Sequence, residues 1–230
     1  MLSRSEDRIG AASAVAGSAL LFVGTYLHPM GADPNDAVAA FTEYAADHLW
    51  VASHLIQLTG VALIVVALLF VAYQLELASG TVWARISAGG AIASLALAAA
   101  LQAVDGIALK HTVDAWAAAP ESQKVAAFHA AFAVRQIEIG LASMLCLSLG
   151  VTATVYGAAL VLDRAYPRWT GALAVMGGVP TAVAGGVIAY TGFSRMAMAI
   201  NMPASSVLLL WMLALGVCMW RRGIAKETIR

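Results

Sequence analysis

The segment that decides the fold runs from Trp50 to Leu75 and has the sequence WVASHLIQLTGVALIVVALLFVAYQL. It contains no Asp, Glu, Lys or Arg, and it is longer than the about 20 apolar residues that a helix needs to cross a bilayer. Lipid offers no partners for backbone polar groups, so such segments must be helical. Six segments of this kind occur, at residues 9–27, 49–75, 86–109, 139–162, 170–190 and 204–220.

The composition of the whole chain agrees with this interpretation. Its 230 residues are 61% hydrophobic and 11% charged, and the mean hydropathy is +0.82. A soluble domain carries about 25% charged residues. The formal net charge is zero, which argues against a nucleic-acid partner. We therefore predict an all-α, polytopic membrane bundle that forms one domain over residues 1–230, with membrane lipids around it.

The distribution of Lys and Arg predicts the orientation of the bundle. Nine basic residues flank one set of helix ends: Arg4, Arg8, Arg85, Arg164, Arg168, Arg221, Arg222, Lys226 and Arg230. Four flank the other set: Lys110, Lys124, Arg135 and Arg195. The excess of positive charge is expected in the cytoplasm. The chain is thus predicted to be a multi-pass protein of a bacterial inner membrane, with the N-terminus and the C-terminus both cytoplasmic.

The first apolar segment is predicted to be a retained span. It is longer than the hydrophobic region of a signal peptide, and Glu6 and Asp7 precede it.

The two longer outer connections, residues 30–48 and 110–138, are predicted to form a small helical outer cap. In the first, Asp33 is expected as the N-cap and Pro34 as the first helical residue. In the second, a helix is expected to run unbroken from Glu121 to Leu162. At roughly 60 Å this helix exceeds the thickness of the hydrocarbon core, so its first turns should project from the membrane.

Polar residues gather at the predicted outer ends of the spans. Counting about 1.5 Å per residue from the inner ends brings His28, His54, Asp105 and Glu138 to a similar depth. Ionisable side chains within or close to the membrane usually pair with one another or mark a functional site. We therefore predict a His- and acid-lined pocket that opens to the extracytoplasmic side.

This pocket is expected to bind a small hydrophobic ligand or a lipid-like substrate. If it is catalytic, His54 would act as a general base oriented by Asp47 or Asp105, and Glu138 would act as an acid. The predicted ligand-binding residues are Asp47, Trp50, Gln57, Gln102, Arg135 and Gln136. Whether the protein is an enzyme stays open at this point.

Metal binding is a second hypothesis for the same residues. The predicted ligands of copper or zinc are His28, His54, His129 and Glu138. Thioethers in the predicted outer loop between spans five and six, at Met196, Met198 and Met202, would suit copper(I). A haem between two histidines such as His28 and His54 is a variant. In a third hypothesis the protein has an accessory or structural role, and the polar cluster is only a stabilising network.

Glycines repeat every seven residues along the first and fifth spans. They are Gly10, Gly17 and Gly24, and then Gly171, Gly178, Gly185 and Gly192. Small residues allow helix backbones to approach closely in lipid. These stripes are predicted to pack against each other or to form an oligomer interface. Cys146 and Cys218 are expected to be free thiols, because their predicted depths differ.

Four stretches resemble a family of six-span integral membrane proteins from actinobacteria. They are HPMGADP after the first span, the segment from Trp50 to Leu75, YPRWTGALAVMGG entering the fifth span, and LLLWMLALGVCMWRR closing the sixth. The resemblance implies the six-span topology and singles out His28, Trp50 and His54. It implies no activity and no cofactor.

Overall fold

The computed structural model describes residues 4–75, 78–163 and 165–228, and within them the chain is helical, without a strand. The helices are α1 (Arg4–Leu27), α2 (Ala37–Ala46), α3 (Trp50–Gln74), α4 (Ala78–Gln102), a π-helical segment (Ala103–Leu109), α5 (Lys110–Ala118), α6 (Glu121–Leu162), α7 (Arg168–Thr191) and α8 (Arg195–Thr228). Arg164 and Arg230, which entered the charge count, lie outside the described residues, as do the side chains of Arg4 and Lys226.

Six helices of the described chain are long and apolar enough to cross a membrane. They are α1, α3, α6, α7, α8 and the continuous helix Thr81–Ala118, in which α4, the π segment and α5 follow without a break. The predicted all-α bundle of a multi-pass membrane protein is thereby confirmed. The last helix begins earlier than predicted, at Arg195, so the methionines of the predicted outer loop lie within α8.

The six long helices form a closed ring. Going around it, α1 packs on α3, α3 on α4, α4 on α6, α6 on α7, α7 on α8, and α8 on α1. We call the end where α1 finishes and α3 begins the cap end, and the opposite end, where α1 begins and α8 finishes, the terminal end. The interior is apolar, with Tyr156 and Trp211 fully or almost fully buried near its centre. The Tyr156 hydroxyl donates to the Leu68 carbonyl oxygen of α3 at 3.0 Å.

The two glycine stripes pack within the chain, and they face different partners. Gly17 of α1 lies against Gly60 of α3, where an added Cβ would meet a carbonyl oxygen at 2.8 Å. Gly178 of α7 lies against Gly150 of α6, where the corresponding distance is 2.7 Å. The prediction that the stripes pack against each other is wrong, because each is already filled by the neighbouring helix of the ring.

A smaller cluster covers the cap end. It joins α2, α5 and the first turns of α6 around the buried side chains of Phe41, Trp50 and Val113. The long helix α6 spans Glu121–Leu162, as predicted. The predicted N-cap of α2 is wrong: the helix begins at Ala37, and Asp36 accepts hydrogen bonds from the amides of Val38 and Ala39. Asp33 instead closes the preceding turn by accepting from the Asn35 amide.

Candidate metal centre

A π-helical segment carries the acidic residue of the site. Asp105 lies in Ala103–Leu109, between α4 and α5. π-helical turns are rare, and they are found frequently at functional sites. The next residue, Gly106, contacts His54 so closely that a Cβ at this position would lie 2.6 Å from the His54 Cβ. The π segment and α3 therefore approach each other most closely where Asp105 leaves the backbone.

His54, in the second turn of α3, is 2% exposed, and each of its ring nitrogens lies near an oxygen atom. Its Nδ1 lies 2.6 Å from the carbonyl oxygen of Trp50, and its Nε2 lies 3.1 Å from Oδ2 of Asp105. A carbonyl oxygen only accepts hydrogen bonds, so Nδ1 carries the proton. In a neutral imidazole, Nε2 then points a lone pair at the Asp105 carboxylate.

His28 follows α1 directly and repeats the same arrangement. Its Nδ1 lies 2.8 Å from the carbonyl oxygen of Pro29, which again makes Nδ1 the donor and leaves Nε2 with a lone pair. Its ring centre is 5.0 Å from the ring centre of His54. Burial lowers the pKa of His28, the neighbouring His54 acts in the same direction, and Asp105 opposes them. Each of the two rings thus has Nδ1 against a backbone carbonyl, and the Asp105 carboxylate lies beside both rings.

The three side chains present acceptors to one another. Single ligand atoms of His28, His54 and Asp105 all lie within 4.8 Å of one another. We call these three residues the metal cluster. The second carboxylate oxygen of Asp105, Oδ1, is buried and has no hydrogen-bond partner among the described residues. Lone pairs directed at a shared volume repel, and either an added proton on His54 or a bound cation removes the repulsion.

Aromatic side chains enclose the metal cluster. The Trp50 ring lies 4.8 Å from the His28 ring and 4.7 Å from the His54 ring, measured between ring centres. Its Nε1 donates to the Asp105 backbone carbonyl at 2.9 Å, which ties α3 to the π segment. Tyr44 packs on Trp50 at 4.2 Å, and burial raises the pKa of Tyr44 to about 12. The surroundings are therefore apolar, and the Tyr44 hydroxyl stays protonated at neutral pH.

Arg135 and Glu138 form a separate buried pair beside the metal cluster. The two side chains lie 2.5 Å apart on successive turns of α6, and both are almost fully buried. Arg135 also donates to the Pro34 carbonyl at 3.2 Å, and its guanidinium lies over the Tyr44 ring. Glu138 was predicted both as a metal ligand and as a catalytic acid alongside His54 and Asp105. In the structure the Glu138 carboxylate instead pairs with Arg135, and Glu138 is not part of the group formed by His28, His54 and Asp105.

Three other predicted site residues, Gln57, Gln102 and Asp47, lie close to the metal cluster in the sequence. Gln57 and Gln102 lie one helical turn from His54 and Asp105, respectively. Nε2 of Gln102 donates a hydrogen bond to Oε1 of Gln57 at 3.2 Å. Oε1 of Gln102 is buried without a partner among the described residues. Asp47, predicted as a ligand-binding residue, lies in the turn before α3, where it accepts from the Leu49 amide at 2.8 Å.

His129 and Gln136 are exposed on α6. The prediction that they line the site is corrected, because the face of α6 that turns inward there carries Arg135 and Glu138.

The predicted ligand pocket stays a prediction. Two cavities of about 420 and 500 Å³ lie away from the metal cluster, one between α3 and α4 toward the terminal end and one between α1 and α8.

The sequence analysis brought His28, His54 and Asp105 to one depth, but it did not assign Asp105 as a metal ligand. Its π-helical setting, which has no recognised sequence signal, is the feature that was missed.

No protein-family model, no curated protein and no solved structure matches the chain. What the site does has to be inferred from its geometry.

Proposed function

We propose that the protein binds a divalent transition-metal ion, with zinc as the best match, through Nε2 of His28, Nε2 of His54 and the carboxylate of Asp105. The observation that carries this proposal is the 3.1 Å contact between Nε2 of His54 and Oδ2 of Asp105, in a ring whose Nδ1 already donates to a backbone carbonyl. Metal-ligating histidines typically use their second nitrogen in this way.

The distances support a shared ion. Zinc lies about 2.0–2.1 Å from imidazole nitrogen and about 2.0–2.2 Å from carboxylate oxygen. Tetrahedral angles then separate two ligand atoms by roughly 3.3 Å, which is close to the 3.1 Å between His54 and Asp105. A proton on His54 would account for this contact as an ion pair, but not for the His28 nitrogen beside it or for the unpartnered Oδ1 of Asp105.

The ligand set favours zinc or a similar borderline ion. Two imidazoles and one carboxylate leave a coordination position open, as in catalytic zinc sites, where the ion acidifies a bound water. A polar group of a small hydrophobic ligand, the class predicted from the sequence, would bind at that position. Thioether ligands would favour copper(I), but Met196 and Met202 are exposed on α8. A haem would have to occupy the space beside His28 and His54 that the Trp50 ring fills.

Metal analysis of the purified protein tests the proposal. After loading with zinc and dialysis, the unmodified protein should retain stoichiometric metal, and a cobalt(II)-loaded sample should absorb in the visible range. His54→Ala and His28→Ala should abolish both signals. The matched controls are His48→Ala, His111→Ala and His129→Ala, which remove exposed imidazoles from the same end of the bundle and should leave both signals intact.

Two outcomes would overturn the metal site. One is a folded, monodisperse protein that retains no metal after loading; His54 and Asp105 would then form a structural ion pair. The other is equal metal loss in the ligand variants and in the exposed-histidine controls, which would indicate adventitious surface binding.

The proposed orientation puts the cap end on the extracytoplasmic side of a bacterial inner membrane and both termini in the cytoplasm. Its support is the excess of Lys and Arg at the terminal end. Membrane-impermeant maleimide applied to intact cells should label Val125→Cys, an exposed residue of the cap. The control Ile224→Cys, exposed near the end of α8, should be labelled only after permeabilisation. The reverse pattern would overturn the orientation.

A further inference from the structure

A cavity of about 420 Å³ lies between α3 and α4 toward the terminal end, away from the metal cluster. Its walls are apolar along most of their length, with Leu69 and Ala72 on α3 and Ala88 and Ile92 on α4. The volume lies within the about 300–1,000 Å³ that is usual for sites binding small molecules. Ile92 is 55% exposed, so the cavity opens on the outer surface of the helix ring, where lipid would surround the bundle.

One cation lines this cavity. Arg85 on α4 is exposed, and among the described residues its guanidinium makes no hydrogen bond and no ion pair. By contrast, Arg135 at the cap end is buried against Glu138, and Arg222 donates to the Ala165 carbonyl oxygen. A guanidinium offers several donors in a planar fork that suits phosphate oxygens. The cavity therefore combines an apolar wall with an exposed positive charge at one end.

Aromatic residues indicate the depth of that charge. Tyr73, which also lines the cavity, is 70% exposed, and Trp83 is 45% exposed two residues before Arg85. Exposed Tyr and Trp of membrane helices concentrate at the level of the lipid head groups. From Arg85 to Ile92 the wall of α4 extends inward by about 10 Å at 1.5 Å per residue. Arg85 thus lies at head-group level, and the apolar wall lies at the level of the acyl chains.

We propose that this cavity is a binding site for an anionic phospholipid of the leaflet at the terminal end. The phosphate binds Arg85, and one acyl chain lies along Leu69, Ala72, Ala88 and Ile92. The charge selects the head group, because each cation near an anionic surface contributes about 1 kcal/mol. The apolar wall distinguishes a lipid from free phosphate, which would leave that wall uncovered.

Native mass spectrometry of the full chain, released from mixed micelles, measures this selectivity. With phosphatidylglycerol and phosphatidylcholine at equal mole fractions, the unmodified protein should retain mainly phosphatidylglycerol. Arg85→Gln should reduce the retained phosphatidylglycerol by about fivefold, which corresponds to one lost cation near an anionic lipid. The matched control is Arg168→Gln, which removes an exposed arginine of the same end that does not line the cavity.

A second variant tests the acyl wall without altering the charge. Ala88→Phe narrows the cavity beside Arg85 and should also reduce lipid retention. Equal losses in Arg85→Gln and Arg168→Gln would overturn the site, because they would indicate a general effect of surface charge. Equal retention of the two lipids by the unmodified protein would overturn it as well. If inorganic phosphate displaces the lipid and Ala88→Phe has no effect, the site is a simple anion site and the proposal is wrong.

Discussion

The two ends of the bundle each contain a buried polar cluster, and the two clusters differ in how their hydrogen-bonding groups are matched. At the terminal end, Nε2 of Gln74 donates to Asp7 at 2.5 Å, and the Tyr166 hydroxyl donates to Oε1 of Gln74. At the cap end, the rings of His28 and His54 lie beside the carboxylate of Asp105; if both imidazoles are neutral with Nδ1 protonated, the remaining nitrogens and the carboxylate are all acceptors.

We call Asp7, Gln74 and Tyr166 the terminal cluster. There each donor meets an acceptor, whereas in the metal cluster acceptors meet acceptors. Buried polar groups in membrane proteins are therefore better judged by the complementarity of their partners than by their charge. A complementary set holds helices together, and a set of converging acceptors is complete only with a proton or a cation.

The largest effect is expected at Asp105. Asp105→Asn removes the only anionic ligand of the metal cluster but keeps the size of the side chain. Since changes to groups that merely support a ligand already cost about 10–100-fold in metal affinity, the loss here should reach at least about 100-fold. Competition with a chromophoric chelator measures it. The free energy of unfolding without metal should change little; a large loss of stability with unchanged affinity would assign Asp105 a structural role.

Gly106→Ala should affect stability and metal binding together. Its Cβ would lie 2.6 Å from the Cβ of His54, so the π segment and α3 must move apart. Overpacking of this kind costs about 1–3 kcal/mol. Denaturation in SDS measures the stability, and metal titration measures the displacement of His54. The control is Gly140→Ala, where an added Cβ meets nothing within 4 Å. If both variants behave alike, the close approach at Gly106 is unimportant.

Gln74→Leu should destabilise the protein without changing metal affinity. The variant removes the hydrogen bonds of Gln74 to Asp7 and Tyr166 and leaves the rest of the terminal cluster buried. A cost of about 1–2 kcal/mol is expected, because interhelical hydrogen bonds in membranes contribute modestly and unsatisfied groups add to the loss. Unfolding in SDS measures the cost. A marked loss of metal affinity would contradict the separation of the two clusters.

The smallest effect is expected at Trp50. Trp50→Phe keeps an aromatic ring beside His28 and His54 but removes the hydrogen bond from Nε1 to the Asp105 carbonyl. At about 0.6 kcal/mol for an interhelical hydrogen bond, metal affinity should fall roughly threefold. Isothermal titration measures it. A loss as large as that of Asp105→Asn would mean that the ring itself, rather than its hydrogen bond, positions the cluster.

Much of the fold could be predicted because it depends on hydropathy and length. The helix Glu121–Leu162 was predicted with its bounds, since Pro120 begins it and apolar residues continue it. The N-cap of α2 was not, because Asp33 before Pro34 matches the pattern of an N-cap, whereas in the structure Asp33 closes a turn and Asp36 caps the helix. The position of Asp47 is not helical, because α3 begins only at Trp50, so its spacing from His54 does not show which way its side chain points.

The site was predicted in part, for reasons of geometry. Counting residues from the helix ends brings His28, His54 and Asp105 to one depth, because helical rise is regular. Rotation about the helix axis is harder to predict when most faces are apolar, and this is why His129 and Gln136 were assigned to the site although both are exposed. The π segment changes the direction of Asp105 relative to a regular α-helix, and helical periodicity cannot anticipate that change.

The order of the helices around the ring has a consequence for biogenesis. All three residues of the metal cluster precede the end of the third spanning helix, His28 directly after α1, whereas α8 is the helix that closes the ring against α1. During synthesis the residues for cation coordination thus enter the membrane before α6, α7 and α8. The later helices then enclose His28, His54 and Asp105, which are already in place. A nascent chain that ends after α5 would therefore carry all three residues of the metal cluster.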